Sequence, residues 1–443
     1  MDGSFLAAVR EAGVVGAGGA GFPTAVKLDS RPEFIIVNGV ECEPLLQVDR
    51  QLAALHAPEL LETLNELVKT LGATGGIFAV KEKYADAVSA LSAEIGKYPA
   101  LQLKGLASAY PMGDEQVLVY ETLGRVVPEG GIPLNVGAVV LNVETLLNVR
   151  RAVEGFPVTD KYVTVTGAVG KPATFRVPLG VPYSALIAAA GGVATDRPAL
   201  IDGGPMMGRI EKNFDAPVTK TSKGIIVLPE DHPLVRSHGK SMDRMMKLSQ
   251  ATCCHCSLCS DVCPRMLLGH RLYPDKLMRL AAYNSTCEKE HSAATAYLCC
   301  ECRLCEYACV MELQPWRLNM ELKRRLGKAG VKNPYRDAPK EANAFREYRK
   351  YPTEKLARQL GIAEYHHAPA PLTEREWPAG AALLPLKQHI GAPAKAIVEK
   401  GQRVKKGDMI AAMEEGALGA NLHASIDGRV ISVGGDCIQI EKE

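Results

Sequence analysis

Apolar positions along this chain fall in short runs, and the period of those runs changes from region to region. Phe5-Leu6-Ala7-Ala8-Val9 predicts a helix ahead of a glycine-rich stretch, whereas Phe34-Ile35-Ile36-Val37 is an unbroken apolar tetrad that predicts a strand. Val136 to Val143 is again of strand length. Residues 161–230 switch to strands and turns, as in the alternating Tyr162-Val163-Thr164-Val165-Thr166-Gly167, with a helix-like segment from Tyr183 to Ala190. Residues 331–380 are polar, charged and proline-bearing, and predict a linker with one helix.

No apolar run approaches the roughly 18 residues that a membrane helix needs. The start, Met1-Asp2-Gly3-Ser4, lacks the basic and apolar regions of a signal peptide, so a cytoplasmic protein is expected. At 443 residues the chain is too long for one core, and three or four modules are expected. Lysine and arginine total 52 against 50 acidic residues, which argues against a nucleic-acid partner, since that would need a strongly basic face. The 13 cysteines change the picture. Most lie in two tight groups between Cys253 and Cys309, and clustered thiols in a reducing compartment mean metal or redox chemistry.

The first group runs C-x2-C-x2-C-x3-C-P through Cys253, Cys256, Cys259 and Cys263; the second repeats the spacing through Cys299, Cys302, Cys305 and Cys309. Three thiolates two residues apart wrap one face of a cubane, and the fourth points away toward a second cluster. The spacing therefore predicts two [4Fe–4S] clusters with crossed ligation. Cys253, Cys256, Cys259 and Cys309 hold one, and Cys299, Cys302, Cys305 and Cys263 the other. Cys42, Cys254, Cys287, Cys300 and Cys437 are out of register. Zinc sites favour two C-x2-C knuckles with a longer spacer. A c-type haem needs histidine after its second cysteine, where Ser257 and Arg303 stand. Val310 departs from the proline usual after the last cysteine.

Gly16-Ala17-Gly18-Gly19-Ala20-Gly21 formally satisfies G-x-G-x-x-G, but a predicted helix precedes it and the clear strand follows, so a Rossmann unit is rejected. With Asn38-Gly39-Val40-Glu41-Cys42-Glu43-Pro44, Tyr110-Pro111-Met112-Gly113-Asp114-Glu115 and Leu141-Asn142-Val143-Glu144-Thr145, this stretch resembles the flavin domain of the FMN-carrying subunit of respiratory complex I. It resembles the RnfC component of the Rnf complex more closely still. The resemblance implies that Gly16, Gly18, Lys27, Asn38, Glu41, Tyr110, Gly113, Asp114, Asn142 and Thr145 hold FMN. It implies that Gly19, Ala20, Phe22, Glu43 and Glu115 face NADH. Ala17, Val40 and Leu141 stand where complex I has arginine, aspartate and asparagine.

The same relatives imply a soluble-ligand-binding β-grasp domain at 156–243, expected here to act as a spacer. Gly391-Ala392-Pro393, Gly407-Asp408 and His423-Ala424-Ser425 resemble the barrel-sandwich hybrid of lipoyl carriers. Residues Gly416 to Ala420, where such a carrier keeps its modified lysine, contain none, so a structural or docking role is expected. The expected architecture is multidomain α/β and α+β. It comprises an FMN/NADH domain (1–155), the β-grasp (156–243), a two-cluster ferredoxin-like helical module (244–330), a linker (331–380) and a barrel-sandwich hybrid (381–443).

That order, with Gly203-Gly204-Pro205-Met206-Met207-Gly208 and Pro217-Val218-Thr219-Lys220-Thr221, resembles the cobalamin reductases of propanediol-utilisation microcompartments. The resemblance implies electron flow from NADH through FMN and two clusters to an oxidised corrinoid. It also implies a microcompartment setting, with a corrinoid adenosyltransferase and a shell protein as partners. The chain lacks D-x-H-x-x-G, so cobalamin is expected as a transient substrate. Histidines such as His232, His238 and His255 are expected as surface or packing residues. Two alternatives stay open at this point: electron input to a different acceptor in an Rnf-like or other microcompartment system, and a scaffold with structural clusters.

Overall fold

The computed structural model describes residues 3–283, 293–337 and 341–443; Cys287 lies outside the described residues. The N-terminal module is built on a four-stranded sheet in the order Leu101–Leu106, Gly75–Lys81, Phe34–Gly39, Ala138–Asn142, with every neighbour parallel. Parallel strands are covered on both faces, which is why Phe34–Val37 reads as a continuous apolar run rather than an alternating one. Ile35 and Val37 pack on one face with the leucines of the helix Ala57–Leu71. Ile36 and Val140 pack on the other with Val117 and Leu118 of the helix Glu115–Leu123 and with Leu268 from the cluster module. Leu60, Leu61 and Leu64 are fully enclosed, and each contributes about 1.5–3 kcal/mol by its burial. The segment before the glycine loop is the helix Gly3–Glu11. The Rossmann context is therefore missing in three dimensions too.

The second module is a mixed sheet in the order Leu372–Thr373, Ala173–Pro178, Asp160–Gly167, Gly224–Pro229, Pro198–Asp202, Arg209–Glu211, with the helix Tyr183–Ala189 packed against it. It is fixed to the first module by an ion pair between Lys161 and Glu144, whose side chains are each 1% exposed. The cluster module gathers the helices Met242–Thr252, Pro274–Tyr283 and Pro315–Lys328 around two four-residue helices, Leu258–Asp261 and Leu304–Tyr307.

Residues 331–380 contain more structure than a linker with one helix. Tyr351–Pro352 pairs with Ala109–Tyr110, the helices Thr353–Gln359 and Ala363–His366 follow, and Leu372–Thr373 extends the β-grasp sheet. Gln47 and Gln51 of the flavin module donate to the carbonyls of Ala368 and Ala370 at 2.8 and 3.0 Å. The segment is thus a strap held by hydrogen bonds to two modules. At the C-terminus, a sheet of Ala381–Pro385, Cys437–Glu441, Gly428–Gly434 and Arg403–Val404 accompanies a three-stranded sheet of Lys395–Ala396, Met409–Ala412 and Leu422–His423. This sandwich docks on the β-grasp, where Ser425 Oγ donates to the Leu179 carbonyl at 2.6 Å. No helix among the described residues is long and apolar enough to cross a membrane.

Candidate functional site

The first strand, Phe34–Gly39, lies between Gly75–Lys81 on one side and Ala138–Asn142 on the other. The chain winds outward through the former and returns to the latter, which creates a topological switch point. In open parallel sheets, ligands bind in the crevice beyond the strand C-termini at such a point. A cavity of ≈ 570 Å³ opens there, and every residue that the resemblance assigns to FMN or NADH lines it.

The glycine loop forms one wall. It closes through Gly16 N–H donating to the Phe22 carbonyl at 2.9 Å, and Ala17 N–H donates to Thr145 Oγ1 at 2.9 Å. Gly19 has φ 115°, a conformation side chains rarely adopt, and a Cβ there would meet nothing within 4 Å. Glycine is therefore required by backbone shape at that position. Lys27 stands on the same cavity with its ammonium 2.6 Å from Glu115 Oε1.

The floor comes from the ends of the two switch-point strands. Asn38 Nδ2 donates to the Gly113 carbonyl at 2.9 Å, and Asn142 caps its helix while donating to Asp49 Oδ2 at 2.9 Å. Burial and the neighbouring Asp49 charge hold the Glu41 carboxyl well above the usual carboxylate range. Glu41 Oε1 and Asp49 Oδ1 are buried without a hydrogen-bond partner, although both residues line the cavity. Unpaired buried acceptors are costly. A flavin, with its imide N–H and ribityl hydroxyls, is the kind of multiple donor that would satisfy them, so these residues fit FMN. Asp114 lines the cavity and is also tied into the wall behind it. Its carboxylate caps the helix Glu115–Leu123 and is gripped by Arg265 at 2.6 and 2.9 Å, which fixes its position in the wall. Val40 is fully buried among Ile36 and Val140. Leu141, by contrast, does line the cavity.

The β-grasp module is more than a spacer, because it completes the cavity. Asp202, Gly204, Met207, Thr221 and Lys223 all line it. Lys223 forms an ion pair with Asp49 across the module junction. Glu43 accepts from the Met206 and Met207 N–H groups at 2.8 and 3.0 Å. Burial pushes its carboxyl up to about 7, against those hydrogen bonds and the Arg303 charge. A Cβ on Gly204 would fall 2.2 Å from Glu43 Oε2, so the glycine makes this seat possible. The sequence signal lies in Gly203–Gly208, but only as a family phrase without visible chemistry.

The two cysteine motifs adopt one backbone shape twice. His255 and Ser257 have φ 55° and 62°, and Glu301 and Arg303, at equivalent positions, have φ 58° and 64°. Four non-glycine residues in left-handed conformations are strained, and such strain persists where the surroundings and function demand it. Cys309 lines the same small cavity as Cys253, Cys256 and Cys259. Cys263 caps the helix Pro264–Leu267, so the chain turns away after the fourth cysteine. Burial, and then the neighbouring charges of Cys299 and Cys300, pushes its thiol up to about 12. Cys305 is raised well above the usual thiol range by burial and by Cys299, Cys259 and Cys263. Eight free cysteines at this spacing, of which Cys263, Cys302 and Cys305 are buried, fit the donor set of iron–sulfur clusters, since a bound metal stabilises the thiolates that burial alone disfavours. Val310 replaces the helix-starting proline of the first motif. The chain accordingly turns through Glu312, φ 53°, before the helix Pro315–Lys328.

Cys302 links the two sites. It belongs to the second motif, it lines the flavin cavity, and its carbonyl accepts from Tyr110 Oη at 2.8 Å. Cys300, out of register, lies in the same wall.

The chain matches the Nuo51 FMN-binding domain over residues 9–151, the SLBB domain over 162–210, a 4Fe-4S dicluster domain over 252–314 and the RnfC barrel sandwich hybrid domain over 367–442. Fold and site together define a flavin- and iron–sulfur-containing oxidoreductase. Cobalamin reductase PduS of Citrobacter freundii is 41% identical over 96% of this chain and 93% of its own length. The protein of the same name from Salmonella typhimurium is 41% identical over 98% and 95%. The chain belongs to this cobalamin reductase family. A more distant relative, the C component of the Na(+)-translocating ferredoxin:NAD(+) oxidoreductase complex of Acetobacterium woodii, is 35% identical over 58% of this chain and 56% of its own length.

Proposed function

We propose that the protein takes electrons from NADH at the switch-point cavity and delivers them, through the two cysteine sites in order, to an oxidised corrinoid. FMN, when bound, accepts two electrons together and releases them singly, which matches a two-electron donor to one-electron centres. The chain's own part is to hold and orient. Gly16, Gly18 and Gly19 bring backbone close to the ligand, Lys27 offers a phosphate partner, and Asn38, Glu41 and Asn142 set the floor. Ala20, Phe22, Glu43 and Glu115 stand on the side assigned to the nicotinamide donor.

The observation that carries the order is the position of Cys302 in both the cavity wall and the second motif. The site of Cys263, Cys299, Cys302 and Cys305 is therefore nearest the flavin. The site of Cys253, Cys256, Cys259 and Cys309 is the exit; Cys256 is exposed there, as is the adjacent Cys254. A microcompartment setting in the cytoplasm, with a corrinoid adenosyltransferase as recipient and a shell protein as dock, completes the proposal.

The test is anaerobic. Protein reconstituted with iron, sulfide and FMN, given NADH, is expected to bleach the hydroxocobalamin spectrum faster than NADH plus FMN with heat-inactivated protein. Equal rates would remove the corrinoid as acceptor while leaving the flavin and cluster assignments standing.

A further inference from the structure

The strap carries a cluster of ligating side chains well apart from the cofactor sites. Glu354, on the helix Thr353–Gln359, faces two consecutive histidines at the end of the helix Ala363–His366. His366 Nε2 lies 3.2 Å from Glu354 Oε1, and His367 Nε2 lies 3.2 Å from Glu354 Oε2. One ligand atom from each residue falls within 4.8 Å of the others. The strap turns sharply between the two helices at Gly361, φ 72°.

We propose that Glu354, His366 and His367 form a site for one divalent transition ion, of which zinc is the best match. Two imidazoles and a carboxylate are a common three-ligand set for zinc, with a fourth position left to water. Bonds of about 2.0–2.2 Å at near-tetrahedral angles put neighbouring ligand atoms about 3.2–3.5 Å apart; each imidazole nitrogen stands 3.2 Å from one oxygen of the carboxylate, His366 from Oε1 and His367 from Oε2, so a small rotation of the carboxylate brings three ligand atoms onto one ion. The His366 side chain is 8% exposed and that of His367 is 74% exposed, so the site has one anchored and one accessible imidazole. Lys83 Nζ, 3.5 Å from Glu354 Oε1, is the other charge facing the carboxylate, and it supplies the counter-charge when no ion is present. An ion here joins the two strap helices. Those helices follow directly on Tyr351–Pro352, the segment paired with Ala109–Tyr110, and Tyr110 is itself a wall of the cavity. The site is thus a clasp on the segment that backs the flavin cavity.

The experiment is anaerobic calorimetry with zinc chloride on tag-free holoprotein whose clusters are fully loaded, with iron and sulfide measured before and after. One saturable zinc per chain is expected with iron content unchanged. Binding should weaken at least 10-fold in His367→Ala, where the exposed ring can be removed without disturbing the core, and similarly in Glu354→Gln. Unchanged affinity in both variants would mean an adventitious ion only and overturn the site. So would the absence of saturable binding, or zinc uptake matched by loss of iron, which would locate the ion at the cluster cysteines.

Discussion

Glu43 is ionisable, buried and seated on two backbone N–H groups of another module, and that placement makes it a pH-sensitive joint. Its carboxyl is raised from 4.5 to about 7, with burial the leading cause. Between those values the folded protein holds a proton that the unfolded chain has released. Stability contributed by this group is therefore present at low pH and lost as pH rises through that window. Glu43→Gln keeps an acceptor oxygen and removes the titration. The variant should show a flatter dependence of unfolding free energy on pH between about 4.5 and 7, by at most about 1.36 kcal/mol per pH unit. An identical slope in both proteins would rule this out. Two lysines of the cavity should separate in the same way. Lys27 is partly exposed, and Lys27→Ala should weaken FMN retention by about 1.5–3 kcal/mol, as loss of a charge-assisted phosphate bond would, with little change in thermal midpoint. Lys223 is the buried partner of Asp49, and Lys223→Met should also destabilise the fold by about 3–5 kcal/mol because it strands a buried carboxylate. Flavin fluorescence after gel filtration and calorimetry of the same samples make the comparison. Lys27 can be picked out from sequence because it lies six residues after the last glycine of the loop, within the same segment. Lys223 cannot, because its partner lies 174 positions away and nothing local marks it.

Among the larger pieces, those legible in sequence are the ones whose chemistry is local. The cysteine motifs announce themselves because ligation demands fixed spacing, and Phe34–Val37 does so because a strand buried on both faces has no room for polar residues. The strap reads as a linker because its polar composition is also that of an edge segment satisfied by distant partners such as Gln47 and Gln51. The β-grasp contribution escapes a sequence reading for a related reason: Gly204 and Met207 act through backbone shape, which side-chain patterns do not report. The crossed use of the fourth cysteines is a prediction about these elements. Cys309→Ser should disturb the cluster built on Cys253, Cys256 and Cys259, whereas Cys263→Ser should disturb the one built on Cys299, Cys302 and Cys305. EPR of the dithionite-reduced variants, with iron and sulfide content, distinguishes the two. Loss confined to the motif that carries the substitution would refute the crossing, and zinc in place of iron in the wild type would refute the clusters themselves.

On the proposed function, the modules form a path with a direction. The flavin cavity lies where three of them meet, the second motif contributes Cys302 to its wall, and the first motif opens to solvent at Cys256 with Leu258, Val310 and Met311 exposed around it. A centre in a cavity wall is the natural recipient from the cavity, and a centre at the surface is the natural donor to an outside molecule. The order can be tested by removing one site at a time. In Cys256→Ser, NADH should still reduce the cluster of the second motif, seen by EPR in samples frozen within a turnover, while corrinoid reduction falls. In Cys305→Ser, dithionite should still reduce the cluster of the first motif but NADH should not, because the step between it and the cavity is gone. NADH oxidation by a small acceptor that reaches the cavity directly should survive in both variants, which shows that the flavin module has kept its fold. Reduction of the first-motif cluster by NADH at the wild-type rate in Cys305→Ser would reverse the order, and would move the docking surface for the corrinoid to the other end of the cluster module.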